Sequence, residues 1–179
     1  PEDRCAYIKQ HLPEDICVLS VEEAAPRFHA RLNAVRKTYV YRIWNAPVRP
    51  VFERKYVTWI EQPLDVDAMR RAAKLLCGTH DYRAFCSLKK FKKSTVRTVE
   101  EMNIEHLGKE IRISYTRYGF LYHMVRILTG TLVEVGEGAR KPEDMPTILM
   151  SMDRANAGKL MPPEGLTLEC VEYEDNLKK

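Results

Sequence analysis

Tyr118–Gly136, YGFLYHMVRILTGTLVEVG, decides how the chain folds, because so little of it can face water. Between Arg117 and Glu134 it carries one formal charge, Arg126. Phe120, Met124, Ile127, Leu128, Thr131 and Leu132 recur at helical spacing, and Leu121, Tyr122, Val125 and Val133 fill most of the other faces. A helix apolar nearly all round belongs inside a domain. This one is too short and too interrupted to span a bilayer. The stretch therefore predicts a central buried helix that carries a guanidinium into the core. A buried charge needs a partner, and the partner of an arginine is normally a carboxylate. Arg126 then has two readings. It is a structural ion pair or a side chain that snorkels to the surface, or it points at a catalytic acid.

Outward from this helix, strands and helices mix. Residues 4–11 read as the end of a helix and Ile16–Val21 as a short strand. Lys37–Asn45, KTYVYRIWN, is rich in β-branched and aromatic residues and predicts a strong strand. Tyr39, Tyr41 and Ile43 share one of its faces, and Thr38, Val40 and Arg42 the other. Lys55–Glu61 predicts a second strand. A helix follows, with Asp65 as N-cap, Asp67 in its first turn and Gly78 at its end. Its inner face is Val66, Met69, Ala73 and Leu76. Val96–His106 and Glu110–Thr116 read as a hairpin around Leu107, Gly108 and Lys109. His80 and Asp81 fall on a loop. A further helix begins near Pro142 or Pro146 and stops by Gly158, and Leu166–Tyr173 is a last strand. The expected fold class is α+β: a single domain over 1–179, with a mostly antiparallel sheet and helices packed on one side.

The totals narrow the function classes. The 179 residues suffice for one domain with a core, and 45% hydrophobic with 30% charged residues is a globular composition. A net charge of +4 suits a nucleic-acid partner without requiring one. The five cysteines are scattered and form no CxxC pair, so neither a disulfide framework nor a zinc ribbon is indicated, and a reducing, cytoplasmic compartment is expected. No membrane partner is expected either. The five histidines lack metal-ligand spacing, and neither a phosphate loop nor a dinucleotide fingerprint occurs. The chemistry, if any, needs no cofactor and no metal. Cys77 and Cys86 have no evident base beside them, which argues against a cysteine nucleophile.

Two features fit RNA. Lys89, Lys90, Lys92 and Lys93 surround Phe91, and four ammonium groups so close repel one another unless something anionic neutralises them. Arg97 on one side, with Arg31 and Lys37 on the other, extends the positive character. A solvated, flexible loop is the plainer alternative. Tyr39 and Tyr41 belong to a core by their period, or stack on a flat base if they border a cleft.

Five stretches together resemble one family, the TruA-type tRNA pseudouridine synthases. They are FHARLNAVRKTYVYRIWN (28–45), PLDVDAMRRAAKLLCGTHDYRAF (63–85), VRTV (96–99), FLYHMVRILTGTLVEVG (120–136) and EGLTLECVEY (164–173), in the family's order and spacing. The resemblance implies isomerisation of uridine to pseudouridine in the anticodon stem-loop of tRNA. It implies no cofactor or metal, a homodimer, and a tRNA lying on a basic cleft. It makes Tyr39 the tyrosine that stacks on the target base, Arg126 the partner of the catalytic aspartate, and Leu166 an apolar wall of the uracil pocket. Arg31, Lys89, Lys90, Lys92, Lys93 and Arg97 lie where RNA contacts are expected. One part of the pattern does not match: the family's nucleophilic aspartate sits in a Gly-Arg-Thr-Asp-Ala-Gly type motif, and no such motif occurs in this sequence. Asp65, Asp81 and Asp153 do not fit it. The chain, which opens at Pro1 as if inside a fold, is therefore expected to be the C-terminal part of such an enzyme and inactive alone. The alternatives are a non-catalytic RNA-binding module and an inert fragment.

Overall fold

In a computed structural model that describes residues 2–91 and 93–174, the KTYVYRIWN stretch lies within β1 (Ala34–Asn45), the longest strand. The chain forms two compact units, Arg36–Val171 and Pro1–Val35 with Glu172–Lys179. In the larger unit β1 pairs antiparallel with β6 (Glu110–Arg117), and β6 with β5 (Glu101–Leu107). β2 (Thr58–Ile60) joins β1 in parallel, and β7 (Leu166–Tyr173) pairs with β1 as well. A separate two-stranded sheet is made by β3 (Gly78–Asp81) and β4 (Val96–Val99).

Alternation explains which face is covered. Ile111, Ile113 and Tyr115 on β6 are fully buried while the residues between them are half-exposed. Tyr41 and Ile43 on β1, with Met102 and Ile104 on β5, complete that buried face. Two helices close over it. α2 (Val66–Leu76) starts where Asp65 Oδ1 accepts from the Ala68 N–H at 2.9 Å and buries Val66, Met69, Ala73 and Leu76. α3 (Met124–Gly136) is buried at every position except Arg126 and Glu134. Its two buried threonines settle their hydroxyls locally, Thr129 on the Val125 carbonyl and Thr131 on that of Ile127, both at 2.9 Å. α4 (Met145–Ser151) adds Met145, Ile148 and Leu149 to the same core. The fold is thus the expected α+β arrangement, with antiparallel pairing dominant.

The smaller unit holds α1 (Glu2–His11). In it the Phe28 and Tyr173 rings meet edge-on at 5.0 Å, and the Tyr173 hydroxyl donates to the Ala30 carbonyl at 2.8 Å.

Several boundaries differ from the sequence reading. Ile16–Val21 is not a strand; Leu19 is 90% exposed, so the stretch has no covered face to make one. The second strand shrinks to the three residues of β2. The first arm of the expected hairpin is two strands, β4 and β5, which pair with different neighbours. His80 and Asp81 lie in β3 rather than on a loop. The central helix begins at Met124, not near Tyr118, because His123 adopts a left-handed φ of 63° and stops any extension toward the N-terminus.

Candidate active site

The segment that follows α4 crosses α3 at a distance only glycines allow. A Cβ on Gly130 would sit 1.8 Å from the Lys159 carbonyl oxygen, and one on Gly158 would sit 2.6 Å from the Thr131 backbone. The Gly158 N–H donates to Thr131 Oγ1 at 2.9 Å, and the Lys159 N–H to Glu134 Oε1 at 2.8 Å. Held there, the segment meets Arg126 from both ends of one residue. The Met161 N–H donates to the Arg126 carbonyl at 3.4 Å, and Arg126 Nε donates to the Met161 carbonyl at 2.6 Å. The next carbonyl, of Pro162, accepts from the Tyr41 hydroxyl at 2.7 Å. Gly165 then lies so close to Tyr41 that a Cβ would come within 2.7 Å of the ring. Leu166 follows at once, half-buried against the core. A continuous run of contacts therefore joins α3, residues 158–166 and β1.

Arg126 is half-exposed rather than carried into the core. Its position explains why: α3 packs its other faces, and this one opens beside the crossing segment. Among the described residues its side chain bonds one backbone carbonyl and pairs with no carboxylate. It is a rigidly placed cation with free donors.

Tyr39 and Tyr41 have different surroundings although they share a strand face. Tyr41 is fully buried, and its hydroxyl lies 2.6 Å from Thr58 Oγ1. Burial pushes its pKa up to about 12, so it stays neutral, with the Thr58 hydrogen bond and then the Arg126 charge acting the other way. Tyr41 is a packing residue. Tyr39 is half-buried, and its ring meets Phe120 edge-on at 5.2 Å. Tyr39, Phe120, Leu121 and Leu166 all border the same core. Tyr39 and Leu166 both pack against the core, and Arg126 is bonded to the segment that leads into Leu166.

The three aspartates set aside in the sequence are each engaged in local structure. Asp65 caps α2, Asp81 Oδ1 accepts from the Arg83 N–H at 3.0 Å, and Asp153 Oδ1 accepts from the Ala155 N–H at 2.9 Å. No group of three or more metal-ligating side chains occurs among the described residues.

The basic residues divide. Lys89, Lys90 and Lys93 are exposed, Arg97 is half-exposed, and Lys92 lies outside the described residues. Phe91 is not free: the Arg83 guanidinium lies 5.5 Å from its ring centre. The start of this loop is tied to the turn before α3. The Ser87 N–H donates to the Tyr122 carbonyl at 3.3 Å, and His123 Nδ1 lies 3.1 Å from Ser87 Oγ. Arg31 is exposed in the smaller unit, its N–H bonded to His29 Nδ1 at 3.2 Å.

Sequence reasoning passed over His123. Burial and then the nearby Arg126 charge lower its pKa, which keeps it neutral beside the cation. The only signal was its place directly before the buried helix. It also passed over Arg117, the one buried arginine among the described residues, with 4% of its surface exposed.

A family profile described as tRNA pseudouridine synthase matches residues 72–174. Among curated proteins, tRNA pseudouridine synthase A of Brevibacillus brevis is 44% identical over 174 residues, 97% of this chain and 71% of the relative. The protein of the same name from Geobacillus kaustophilus is 44% identical over 168 residues, covering 94% and 65%. That of Moorella thermoacetica is 47% identical over 162 residues, covering 90% and 66%. The chain spans about two thirds of the length of these relatives.

Proposed function

The chain belongs to the tRNA pseudouridine synthase family, and from that premise we propose that the protein converts uridine to pseudouridine in the anticodon arm of tRNA, with this chain forming one wall of the active-site cleft. The reaction is an isomerisation. The bond from uracil N1 to the ribose breaks, the base turns, and C5 takes the place of N1. The proton that leaves C5 is balanced by the one N1 gains. The target nucleotide has to leave its stack to reach the site. Tyr39 stacks on it, Leu166 walls the uracil pocket, and Arg126 holds the nucleophilic aspartate. That aspartate belongs to the part of the enzyme outside these 179 residues, so the chain alone is inactive.

The observation that carries this reading is Arg126, a cation fixed by the Met161 carbonyl with no carboxylate beside it among the described residues. A free, preorganised guanidinium is what an ionised nucleophile needs to stay ionised near an apolar base. Lys89, Lys90, Lys93, Arg97 and Arg31, with Lys92, contact the RNA backbone; the exposure of those described supports this. The enzyme works as a cytoplasmic homodimer. All five cysteines are free, as a reducing compartment would leave them, and among the described residues no helix is long and apolar enough to cross a membrane.

The test is pseudouridine content in tRNA incubated with the full-length protein. New pseudouridine confined to the anticodon arm is expected, and Tyr39→Ala, which removes the stacking ring, should reduce it roughly 10–100-fold, the scale of about 1–3 kcal/mol for one stacked base. No pseudouridine from the wild type would overturn the proposal.

A further inference from the structure

Arg117 closes β6 and continues the inward alternation of Ile111, Ile113 and Tyr115. Its Nε and Nη1 are buried and have no hydrogen-bond partner among the described residues. Leaving a buried guanidinium incomplete is costly unless an anion completes it. Burial, then the charge of Arg97, pushes its pKa down to about 10, so it remains a cation at neutral pH.

Arg117 lines a cleft of about 560 Å³ together with Arg97, Thr98, Glu100, Tyr118 and Phe120. Phe120 covers the guanidinium, its ring centre 5.4 Å from Cζ. Arg97 is braced in the same cleft by the Ser94 and Val96 carbonyls, each 2.7 Å from Nη1. The carboxylate among the lining residues, Glu100, is paired elsewhere, with Arg36 at 3.1 Å. Because Phe120 also meets Tyr39 edge-on, the cleft lies one ring away from Tyr39.

We propose that this cleft is a phosphate site in which Arg117 and Arg97 receive a phosphodiester of the tRNA strand next to the nucleotide held at Tyr39. The anionic character of the site follows from its own geometry; the naming of tRNA rests on the function proposed above. Two arginine forks present several N–H donors to non-bridging oxygens without reading any base. A phosphate in the cleft sets an anion against a guanidinium that no carboxylate compensates, so the unpaired charge becomes a source of affinity. The phosphate then sets where along the strand the base is delivered.

The test uses the full-length protein and tRNA, with affinity measured over a series of salt concentrations. Arg117→Met should weaken binding roughly tenfold and make the slope of log affinity against log salt less steep by about 0.7–0.9, the release of one counterion. Arg97→Gln, on the cleft rim, should shift the slope the same way and carries little risk to folding. Thermal melting separates this from a structural role: removing an unpaired buried charge should leave the melting temperature of Arg117→Met unchanged or higher. A lowered melting temperature with an unchanged salt slope in both variants would overturn the proposal. So would a slope that stays fixed because a carboxylate of the full-length protein fills the cleft. If the wild type binds tRNA but forms no pseudouridine while the slope still responds to both variants, the phosphate site stands and the proposed function fails.

Discussion

Two arginines carry the account, and only one was legible in the sequence. Arg126 announces itself as the single charge in an apolar run, but the run does not say how deep it lies. It sits half-exposed, because the face of α3 that bears it meets a crossing segment rather than the sheet. Arg117 gave no such signal. The strand pattern reads naturally as ending at Thr116, and a charge at the next inward position looks like the start of a loop. What places Arg126 was equally hidden, since glycines at 130 and 158 are ordinary until two backbones touch. Gly130→Ala puts a methyl against the Lys159 carbonyl, 1.8 Å from where Cβ would stand. The expected cost is about 1–3 kcal/mol or more in chemical denaturation, the range of core overpacking. Gly119→Ala, where nothing lies within 4 Å, should be close to neutral. Equal stability of the two variants would mean that the crossing is loose and does not position Arg126.

Elements were readable where pattern and neighbours agreed. α2 has its cap, its periodic face and its end in the sequence, and β7 runs from Leu166 to Tyr173 as expected. The failures share a cause. β3 and β4 are four residues each and exist because they pair with one another, which a local window does not reveal. Ile16–Val21 is apolar enough to read as a strand but is not one, and Leu19 in it is 90% exposed. The β1–β6 pairing also contains a conflict that the sequence hides, for Arg42 and Arg112 lie directly opposite. Glu110 resolves it, accepting from Arg42 Nε at 2.7 Å and Nη2 at 2.9 Å and from Arg112 Nε at 2.6 Å. The Arg42 hydrogen bonds, above all, hold the Glu110 carboxyl down to about 2, against the opposing pull of burial. A depressed carboxyl stabilises the fold above its unfolded value of 4.5, and the gain is lost as pH falls toward 2. At pH 7, Glu110→Gln should therefore cost about 1–3 kcal/mol. Urea melts of the two proteins should converge between pH 4.5 and 2. A gap that persists undiminished at the acid end would remove the ion pair as its cause.

For the whole molecule, the family was legible because its motifs are spread along the sequence in order, while the geometry that joins them comes from the fold. Tyr39, Arg126 and Leu166 come from a strand, a helix and the start of another strand; residues 158–166 tie Arg126 to Tyr41, two positions along β1 from Tyr39, and lead directly into Leu166. In the function proposed above, Arg126, the Tyr39 ring and the Leu166 side chain surround a carboxylate that these residues do not supply. The central claim concerns catalysis rather than tRNA affinity, so the two have to be read separately. The most direct measurement is the single-turnover rate of pseudouridine formation by full-length Arg126→Gln, at tRNA concentrations that saturate the enzyme. The account predicts a rate at least ~100-fold below wild type, with tRNA affinity changed by less than about tenfold. A wild-type rate under saturation would contradict it.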